Sequence, residues 1–476
     1  MDNLLCDELL QEIFTRITNS SSSSSCLSVC LVSKRWLHLY RTSKTSLSLR
    51  LNLENSTIQS LSPFLANYPF LSSISLILSS DPTKSTPPFN DHLLFIVSNL
   101  CSNLKHLRFL TGPVSTNSLI SFSNSCTLLT SLTLFLARPL YLNWVAYFSH
   151  LKDLSIRVIS VDGSDQVRFG SSGLCLDQEF DAELGLGSLN LSGIRRGDLG
   201  FGWLWRNTKN LKKLQLKSCE GVGDGGSFVS FTTCLKGIQE MELRTCRSII
   251  HGILLRMAEN CESLNSLLIY DGGSREGLLH FITNCRCNLQ ILDLRLPLDL
   301  NNDHLLAIGM NFRNLSILRL QSCCLVTGEG LKGVGIGMNS SNLEELALIN
   351  CDVVERESGL LATLGQNLRR LRKLDLSHNE LLVDKEIISM LVSCNGLIEL
   401  KLRGCRKVSS SAMVSMLKNC KNLEFVDIMN CCGIEVDVIE MFLLNSLRLR
   451  CIQVEECKLS DAAKKWAEHK FIRLVA

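Results

Sequence analysis

A short apolar phrase returns at a nearly fixed interval through the second half of this 476-residue chain. The phrase is Leu-x-x-Leu-x-Leu-x-x-Cys, and Leu211, Leu214, Leu216 and Cys219 form one copy. The first apolar residues of successive copies are Leu211, Ile238, Leu264, Leu289, Leu315, Leu343, Leu371, Leu397, Leu423 and Leu449, at steps of 25 to 28 residues. A period of this length predicts a solenoid in which each repeat stacks on its neighbours.

Each copy predicts a strand followed by a helix. The alternate leucines of a phrase fall on one side of an extended strand. The segment after it has apolar residues at helical spacing, as at Ala412, Met413, Met416 and Leu417. One such unit cannot bury its own apolar face, whereas stacking buries several leucines, each worth roughly 1.5 to 3 kcal/mol. We therefore predict an α/β fold, a curved right-handed array with parallel strands inside and helices outside.

Many of the 22 cysteines occupy two fixed places in the repeat. One place follows the first leucine by eight residues, as Cys405 follows Leu397, and the other precedes it by three, as Cys394 does. In this respect the chain resembles the cysteine-containing class of leucine-rich repeats. The strand-end cysteine is replaced at three positions by Gly272, Pro297 and Asn379. Because the repeat accounts for the spacing of the cysteines, we predict that they are reduced, buried and structural, and we predict neither disulfides nor a metal site.

The first forty residues follow a different pattern. Leu9, Ile13 and Ile17 lie four residues apart with Leu10 and Phe14 beside them, which predicts an apolar stripe on one helix. A serine-rich run separates this helix from a second apolar segment. Helices this short form a marginal core alone, so we expect them to rest on another element or partner.

This N-terminal region resembles the F-box family. The resemblance rests on the stretch from Leu4 to Ile17 and on the segment Val32-Ser33-Lys34-Arg35-Trp36, with Leu5 in place of the family's proline and Ser33 in place of its cysteine. An F-box docks on a Skp-type adaptor. The residues that the resemblance assigns to adaptor binding are Leu4, Leu5, Leu10, Ile13, Phe14, Val32, Lys34 and Trp36.

An F-box joined to leucine-rich repeats is characteristic of the F-box/leucine-rich-repeat proteins, here of plant type. The resemblance implies a substrate-recognition subunit of an SCF-type ubiquitin ligase, bound through the adaptor to cullin, without a catalytic site or cofactor of its own. Two alternatives stay open. One is a repeat scaffold that binds a partner without ubiquitin transfer, and the other is a sensor of a small molecule or an inositol phosphate.

These patterns predict four regions of the chain. They are an F-box domain at 1–45, irregular first repeats at 46–100, the repeat array at 101–458 and a capping helix at 459–476. A glycine-rich stretch at about 157–205 interrupts the period. It predicts either an insertion loop that carries binding or a decayed repeat.

In every phrase, the residue after the last strand leucine is predicted to face the inner surface. The candidates for target binding on this face are Lys217, Arg244, Tyr270, Arg295, Arg319 and Arg403. Such a basic patch suits an acidic or phosphorylated target. Glu240, Glu242 and Asp293 beside these bases predict instead a mixed-charge ladder, and both interpretations stay open. We expect charge reversal at Arg244 and Arg295 to cost the fold little, as at other surface positions.

The charge balance is close to even, with 49 basic and 46 acidic residues and a net charge of +3. We therefore expect no nucleic-acid or membrane partner. The basic run at 369–373 predicts a solvated face, or else a nuclear signal. We expect the protein in the cytoplasm, the nucleus or both.

Overall fold

The structure is a computed structural model, and it describes residues 5–20, 29–53, 55–159, 182–223, 225–297, 299–337 and 342–475. The chain divides into two compact units, Met1–Cys234 and Leu235–Ala476. In both units parallel strands alternate with helices at the predicted period. The predicted class, an α/β leucine-rich-repeat solenoid, is confirmed.

The first unit begins with two helices that precede its sheet, α1 (Asp7–Ser20) and α2 (Lys34–Ser43). Its strands pair in parallel in chain order. They are β1 (Ser46–Leu51), β2 (Ser73–Leu78), β3 (His106–Pro113), β4 (Ser131–Ala137), β5 (Asp153–Ile159), β6 (Ser188–Ser192) and β7 (Lys213–Lys217). The helices among them are α3 (Asn55–Leu65), α4 (Pro87–Leu100), α5 (Thr116–Ser125), α6 (Phe201–Asn207) and α7 (Ser227–Cys234), with 3-10 turns at Pro82–Lys84 and Asn143–Tyr147.

The second unit also pairs its strands in parallel and in chain order. They are β8 (Glu240–Arg244), β9 (Ser266–Tyr270), β10 (Ile291–Arg295), β11 (Ile317–Gln321), β12 (Glu345–Ile349), β13 (Lys373–Asp375), β14 (Glu399–Lys401), β15 (Phe425–Asp427), β16 (Cys451–Gln453) and β17 (Arg473–Val475). The helices are α8 (Ile250–Asn260), α9 (Arg275–Asn284), α10 (Asn302–Asn311), α11 (Gly328–Gly337), α12 (Asp352–Arg356), α13 (Leu360–Asn367), α14 (Asp384–Ser393), α15 (Ser410–Asn419), α16 (Val436–Asn445) and α17 (Asp461–His469), with 3-10 turns at Leu235–Gly237 and Glu456–Lys458.

A continuous column of apolar side chains runs through the second unit under its strands. Each member pairs with the same position of the next strand, and none is more than 2% exposed. The column consists of Leu318, Leu346, Leu374, Leu400, Val426 and Ile452. Stacking of one repeat on the next therefore buries the leucines of the phrase, as predicted from the period.

Most strands end at a residue in the left-handed region of backbone conformation. Asn350 has φ of 50° and Ser322 of 56°, while Gly404 takes the same place with φ of 74°. Asn and Gly adopt this conformation readily. Leu296 also takes it, with φ of 50°, at a cost of roughly 1 to 2 kcal/mol. The turn positions the cysteine of the phrase under the strand ends.

The strand-end thiols bind carbonyl groups of the preceding repeat. Cys405 Sγ lies 3.1 Å from the carbonyl oxygen of Leu376, and Cys431 Sγ lies 2.9 Å from that of Leu402. Both cysteines are fully buried. These thiols therefore give a further donor to buried carbonyl groups that already accept one hydrogen bond, from the backbone N–H of Cys405 at Leu402 and from Asn379 at Leu376.

Asn379 performs the same task where the phrase lacks its cysteine. Its Nδ2 donates to the carbonyl oxygens of Leu348 at 2.8 Å and Leu376 at 2.7 Å. Its Oδ1 accepts from the backbone N–H of Cys351 at 2.9 Å. The amide thus joins two successive repeats, which explains why this departure from the phrase does not interrupt the array.

Two regions differ from the sequence interpretation. Part of the glycine-rich stretch is a regular repeat, because β6 pairs in register with β5 and β7 and buries Leu189 and Leu191. The rest of that stretch, 160–181, lies outside the described residues. At the C-terminus, α17 is followed by β17, which pairs with β16, so the last segment adds a strand to the predicted capping helix. Among the described residues, no helix has the length and apolarity needed to cross a bilayer.

The buried thiols predict a loss of stability at alkaline pH. Burial raises the pKa of Cys405 and of Cys431 from 9.0 to about 12. Above pH 9 the unfolded chain releases these protons while the folded chain keeps them, so the free energy of unfolding falls between pH 9 and 12. Each thiol contributes up to about 1.4 kcal/mol per pH unit.

Urea unfolding measured at several pH values above 8 checks this expectation. A Cys405→Ala, Cys431→Ala variant should be less stable at pH 8 because of the cavities it creates, but its free energy of unfolding should fall less steeply as the pH rises. If the free energy of unfolding fell equally steeply with pH in both proteins, the two buried thiols would not be the cause of the alkaline loss of stability.

Candidate functional site

Helices α1 and α2 form a small core of their own. Leu10, Phe14, Leu39 and Tyr40 pack together, and none is more than 5% exposed. The ring of Trp36 lies against Phe14, with 5.5 Å between the ring centroids. Leu10 and Phe14 were assigned above to adaptor binding, but both are 1% exposed and hold the two helices together. In this conformation they do not reach a partner's surface.

Polar contacts fix the angle between these helices. Arg35 Nε donates to Asp7 Oδ1 at 2.9 Å, and Arg35 Nη2 donates to the carbonyl oxygen of Leu5, also at 2.9 Å. Ser33 caps α2, because its Oγ accepts from the backbone N–H of Trp36 at 3.2 Å. A capping hydroxyl is a physical reason for serine at this position.

The apolar side chains that reach solvent here are Leu5, Leu9, Ile13, Leu31 and Val32, which we call the docking patch. Their exposed fractions are 37%, 53%, 40%, 86% and 57%. Lys34 is exposed beside them, Trp36 is half-buried, and Leu4 lies outside the described residues. Sequence reasoning missed Leu9 and Leu31 as contact candidates. The helical spacing shared by Leu9 and Ile13 was the available signal.

The second candidate site is the open face of the sheet in the second unit. Arg244, Tyr270 and Arg295 occupy the same position of three consecutive strands and pair in register. The guanidinium of Arg244 lies 6.0 Å from the ring centroid of Tyr270. Three of the predicted target-binding residues are therefore direct neighbours.

The arginines on this face are bound to carboxylates of the same sheet. Arg295 Nε and Nη2 donate to Asp293 Oδ1 and Oδ2, each at 2.8 Å, and this pairing raises the pKa of Arg295. Arg319 Nε donates to Glu345 Oε1 at 2.6 Å, and its Nη1 lies 3.5 Å from Asp293 Oδ2. Arg244 is paired with Glu242. Of the two interpretations left open, the mixed-charge ladder describes this face.

One of the remaining two candidates, Arg403, lies apart from this cluster. Arg403 follows β14, four strands from Arg295, and donates to Asp427 Oδ2 at 2.9 Å and to Gln453 Oε1 at 3.0 Å. Lys217 ends β7 of the first unit and is exposed. Within the second unit, the structure therefore brings Arg244, Tyr270, Arg295 and Arg319 together, whereas Arg403 lies farther along the sheet.

A pocket of about 230 Å³ opens on this face between β10 and β14. Ala347 and Ile349 contribute apolar surface to it, while the large side chain of Arg319 lines one side and that of Lys401 lines the other. Ala347 occupies the same strand position as Asp293, Arg319, Asp375 and Lys401 on the neighbouring strands, and its small side chain leaves room for the pocket among these charged groups. Sequence reasoning missed this pocket, although a single alanine at that strand position was visible.

The acid that pairs with Lys401 in this pocket is Glu399. Lys401 Nζ lies 2.7 Å from Glu399 Oε1, and Lys373 Nζ lies 3.5 Å from Glu399 Oε2. Burial works to raise the pKa of Glu399, but the hydrogen bond and charge of Lys401 outweigh it, so the pKa is lowered. The pocket thus presents ionised groups of both signs.

The contacts of Arg295 argue against the expectation that charge reversal there costs the fold little. Asp293, its partner, is 1% exposed, and a glutamate at 295 would place a second carboxylate beside it. An unpaired buried charge is strongly destabilising. Variants that probe this face must therefore leave the ion pairs in place.

No family model matches the chain. Among solved structures it is similar to the Rad7 and Elc1 complex in yeast, with 16% identity, 96% of this chain and 98% of that chain covered, and a TM-score of 0.47. It is also similar to an internalin, inlF, from Listeria monocytogenes str. 4b F2365, with 12% identity, 85% and 93% covered, and a TM-score of 0.34. A third is the leucine-rich repeat-containing protein LegL7 from Legionella pneumophila, with 15% identity, 52% and 85% covered, and a TM-score of 0.37. The fold assignment rests on the chain's own strand pairing.

Asp293 is predicted to be the key carboxylate of the inner face. An Asp293→Ala variant leaves Arg295 and Arg319 without their shared acceptor, so the free energy of unfolding should fall by about 1 to 3 kcal/mol. Glu259→Ala is the matched control, because Glu259 pairs with Arg256 on an exposed helix surface and should cost under about 0.5 kcal/mol. Urea denaturation of both variants provides the comparison. Equal losses would show that the carboxylate does not organise this face.

Proposed function

We propose that this chain is the substrate-recognition subunit of an SCF-type ubiquitin ligase of the F-box/leucine-rich-repeat kind, plant type. The docking patch binds a Skp-type adaptor that in turn binds cullin, and the repeats hold a target protein. The observation that supports this best is the docking patch itself. Five partly exposed apolar side chains lie on α1 or in the residues just before α1 and α2, and only Lys44 and Thr45 separate α2 from β1.

A hydrogen bond ties the N-terminal helices to the first repeats of their own unit. Arg41 Nη1 of α2 donates to Asn67 Oδ1 beyond α3 at 2.9 Å, which ties the helical pair to the repeats of its unit. Contiguous exposed apolar surface is characteristic of a protein-binding site. A partner bound to the patch would thus be held at a fixed place relative to the first repeats.

In this proposal the chain contributes no catalytic group. It binds the target so that a lysine of the target stays close to a ubiquitin-charged conjugating enzyme, which raises the effective concentration of the reactants. We place this activity in the cytoplasm or the nucleus, as the F-box resemblance implies. The target would contact the inner face of the second unit around the pocket.

The charges of the pocket indicate what kind of target it would take. Arg295 and Arg319 are already bound to Asp293 and Glu345, so an acidic or phosphorylated group would have to compete with these carboxylates. We therefore favour a target segment that carries both signs of charge and a small apolar side chain for the space above Ala347. The same neutralisation argues against the inositol-phosphate sensor.

Adaptor binding is tested by charge substitution in the docking patch. A Leu9→Asp, Ile13→Asp, Val32→Asp variant should lose co-elution with a purified Skp-type adaptor in size-exclusion chromatography, because charged groups would be buried in the interface. These positions are 40% to 57% exposed, so the fold should persist, and circular dichroism checks this.

The matched control places aspartate at three exposed apolar positions on repeat helices, Val229, Met310 and Val392, which are 61% to 71% exposed. This control should co-elute with the adaptor like the unaltered chain. Undiminished co-elution of the docking-patch variant would favour the scaffold interpretation instead.

Target binding is tested by filling the pocket. Ile349→Trp should block the space above Ala347 while leaving every ion pair of the face intact. Affinity capture from cells, followed by mass spectrometry, should then lose the target but retain adaptor and cullin. Val392→Trp, on the exposed side of α14, is the size-matched control. A target captured equally by both variants would place its site away from this pocket.

A further inference from the structure

Basic side chains are concentrated along one edge of the second unit. Because its strands are parallel, every connection from a helix into a strand lies at the same edge of the sheet. Among described positions in the connections that lead into β10 to β17, nine cations stand against two carboxylates. The cations are Arg286, Arg313, Arg369, Arg370, Arg372, Lys421, Arg448, Arg450 and Lys470, and the carboxylates are Glu344 and Glu424.

Most of these cations are exposed and have no carboxylate partner within the described part of the chain. Arg450 pairs with Glu424 at 3.3 Å, and Lys470 Nζ donates to the carbonyl oxygen of Leu443 at 3.1 Å. We call the exposed cations without a carboxylate the basic rim. Its members are Arg286, Arg313, Arg369, Arg370, Arg372, Lys421, Arg448 and Lys470.

The polar contacts of the rim are to uncharged groups. Arg369 Nε donates to the carbonyl oxygen of Gln366 at 3.2 Å, and Arg370 binds the side chain of Asn342. This is the opposite of the inner face, where each arginine described above is neutralised. The rim therefore offers guanidinium groups whose charge is available to an anionic partner.

The rim ends at two exposed apolar side chains. Leu447 is 86% exposed in the connection between α16 and β16, and Phe471 is 94% exposed in the connection between α17 and β17. They lie at the same edge of the sheet as the cations, beside Arg448. A phosphate backbone gains nothing from an aliphatic side chain, whereas a polypeptide can cover it.

The spacing of the central cations matches a repeating peptide. Arg313, Arg369 and Lys421 precede β11, β13 and β15, so successive members are two strands apart, which is about 9.6 Å at the usual strand separation. Three residues of a polyproline II segment advance about 9.3 Å and return to the same side. Carboxylates at every third residue would therefore meet successive cations.

We propose that the basic rim binds an extended acidic polypeptide segment, with carboxylates at every third residue and an apolar end that covers Leu447 and Phe471. This site is separate from the docking patch and from the pocket of the inner face. It gives the chain a second partner, independent of whether the proposed ligase function is correct.

The test uses the full chain and a fluorescein-labelled probe. The probe has four Glu-Pro-Ser triplets followed by Leu-Leu-Phe, and a reference peptide has the same composition with its glutamates clustered at one end. Binding is measured by fluorescence anisotropy at low and at physiological salt. The triplet probe should bind more tightly than the clustered peptide, and salt should weaken both.

Two variants with equal loss of charge separate the rim from a general charge effect. The rim variant is Arg313→Gln, Arg369→Gln, Arg370→Gln, Lys421→Gln, and it should weaken binding of the triplet probe by about tenfold or more. The control variant carries glutamine at four exposed lysines outside the rim, Lys385, Lys407, Lys418 and Lys465. It should bind the probe like the unaltered chain.

The apolar end is tested separately. A Leu447→Ser, Phe471→Ser variant should bind the triplet probe more weakly, but should bind a probe that lacks Leu-Leu-Phe as the unaltered chain does.

The proposal is overturned by any of three results. One is equal binding of the triplet probe to the rim and control variants. Another is equal binding of the triplet and clustered peptides, which would show that register plays no part. The third is tighter binding of a 15-nucleotide single-stranded DNA, lost in the rim variant, which would make nucleic acid the partner class.

Discussion

No repeat of this chain can bury its own leucines, and that constraint determines most of what the structure does. Each strand places its apolar side chains under the next strand in strict register, as Leu346 does between Leu318 and Leu374. The same register sets which side chains are neighbours on the open face. Arg295 lies beside Tyr270 because the leucines beneath them stack, and not because the two side chains attract each other.

The polar groups of the repeats follow two different rules. Inside the array, buried side-chain donors bind backbone carbonyl oxygens. The thiol of Cys431 and the amide of Asn379 both donate to a carbonyl group of the preceding repeat and so link one repeat to the next. On the inner face, charges are paired within the sheet, as Asp293 and Arg295 are. At the edge where helices lead into strands, cations such as Arg313 stay exposed and unpaired with any described carboxylate. The contrast separates charges that hold the fold from charges available to partners.

Sequence reasoning predicted correctly which strand residues face the core. Leucines alternate along each strand and the whole phrase returns about every 26 residues, and only one orientation of the strands satisfies both spacings. It could not distinguish Leu10 from Leu9 as a contact residue, since a single helix shows an apolar stripe but not which part of it a second helix covers. The mixed-charge ladder was one of two open interpretations, and the sequence could not decide between them because partners such as Arg319 and Glu345 lie 26 residues apart and meet only through strand register. Strand β17 was missed because the residues around Leu474 do not repeat the leucine and cysteine spacing of the phrase.

The central claim is a division of labour in which the N-terminal helices bind the adaptor and the repeats remain free for other partners. Hydrogen–deuterium exchange of the full chain, alone and with a purified Skp-type adaptor, tests this most directly. Added protection should appear in α1, in α2 and in the residues just before α2, while the strands β8 to β17 exchange as they do in the free chain. Protection confined to those strands, with none in the two helices, would contradict the account.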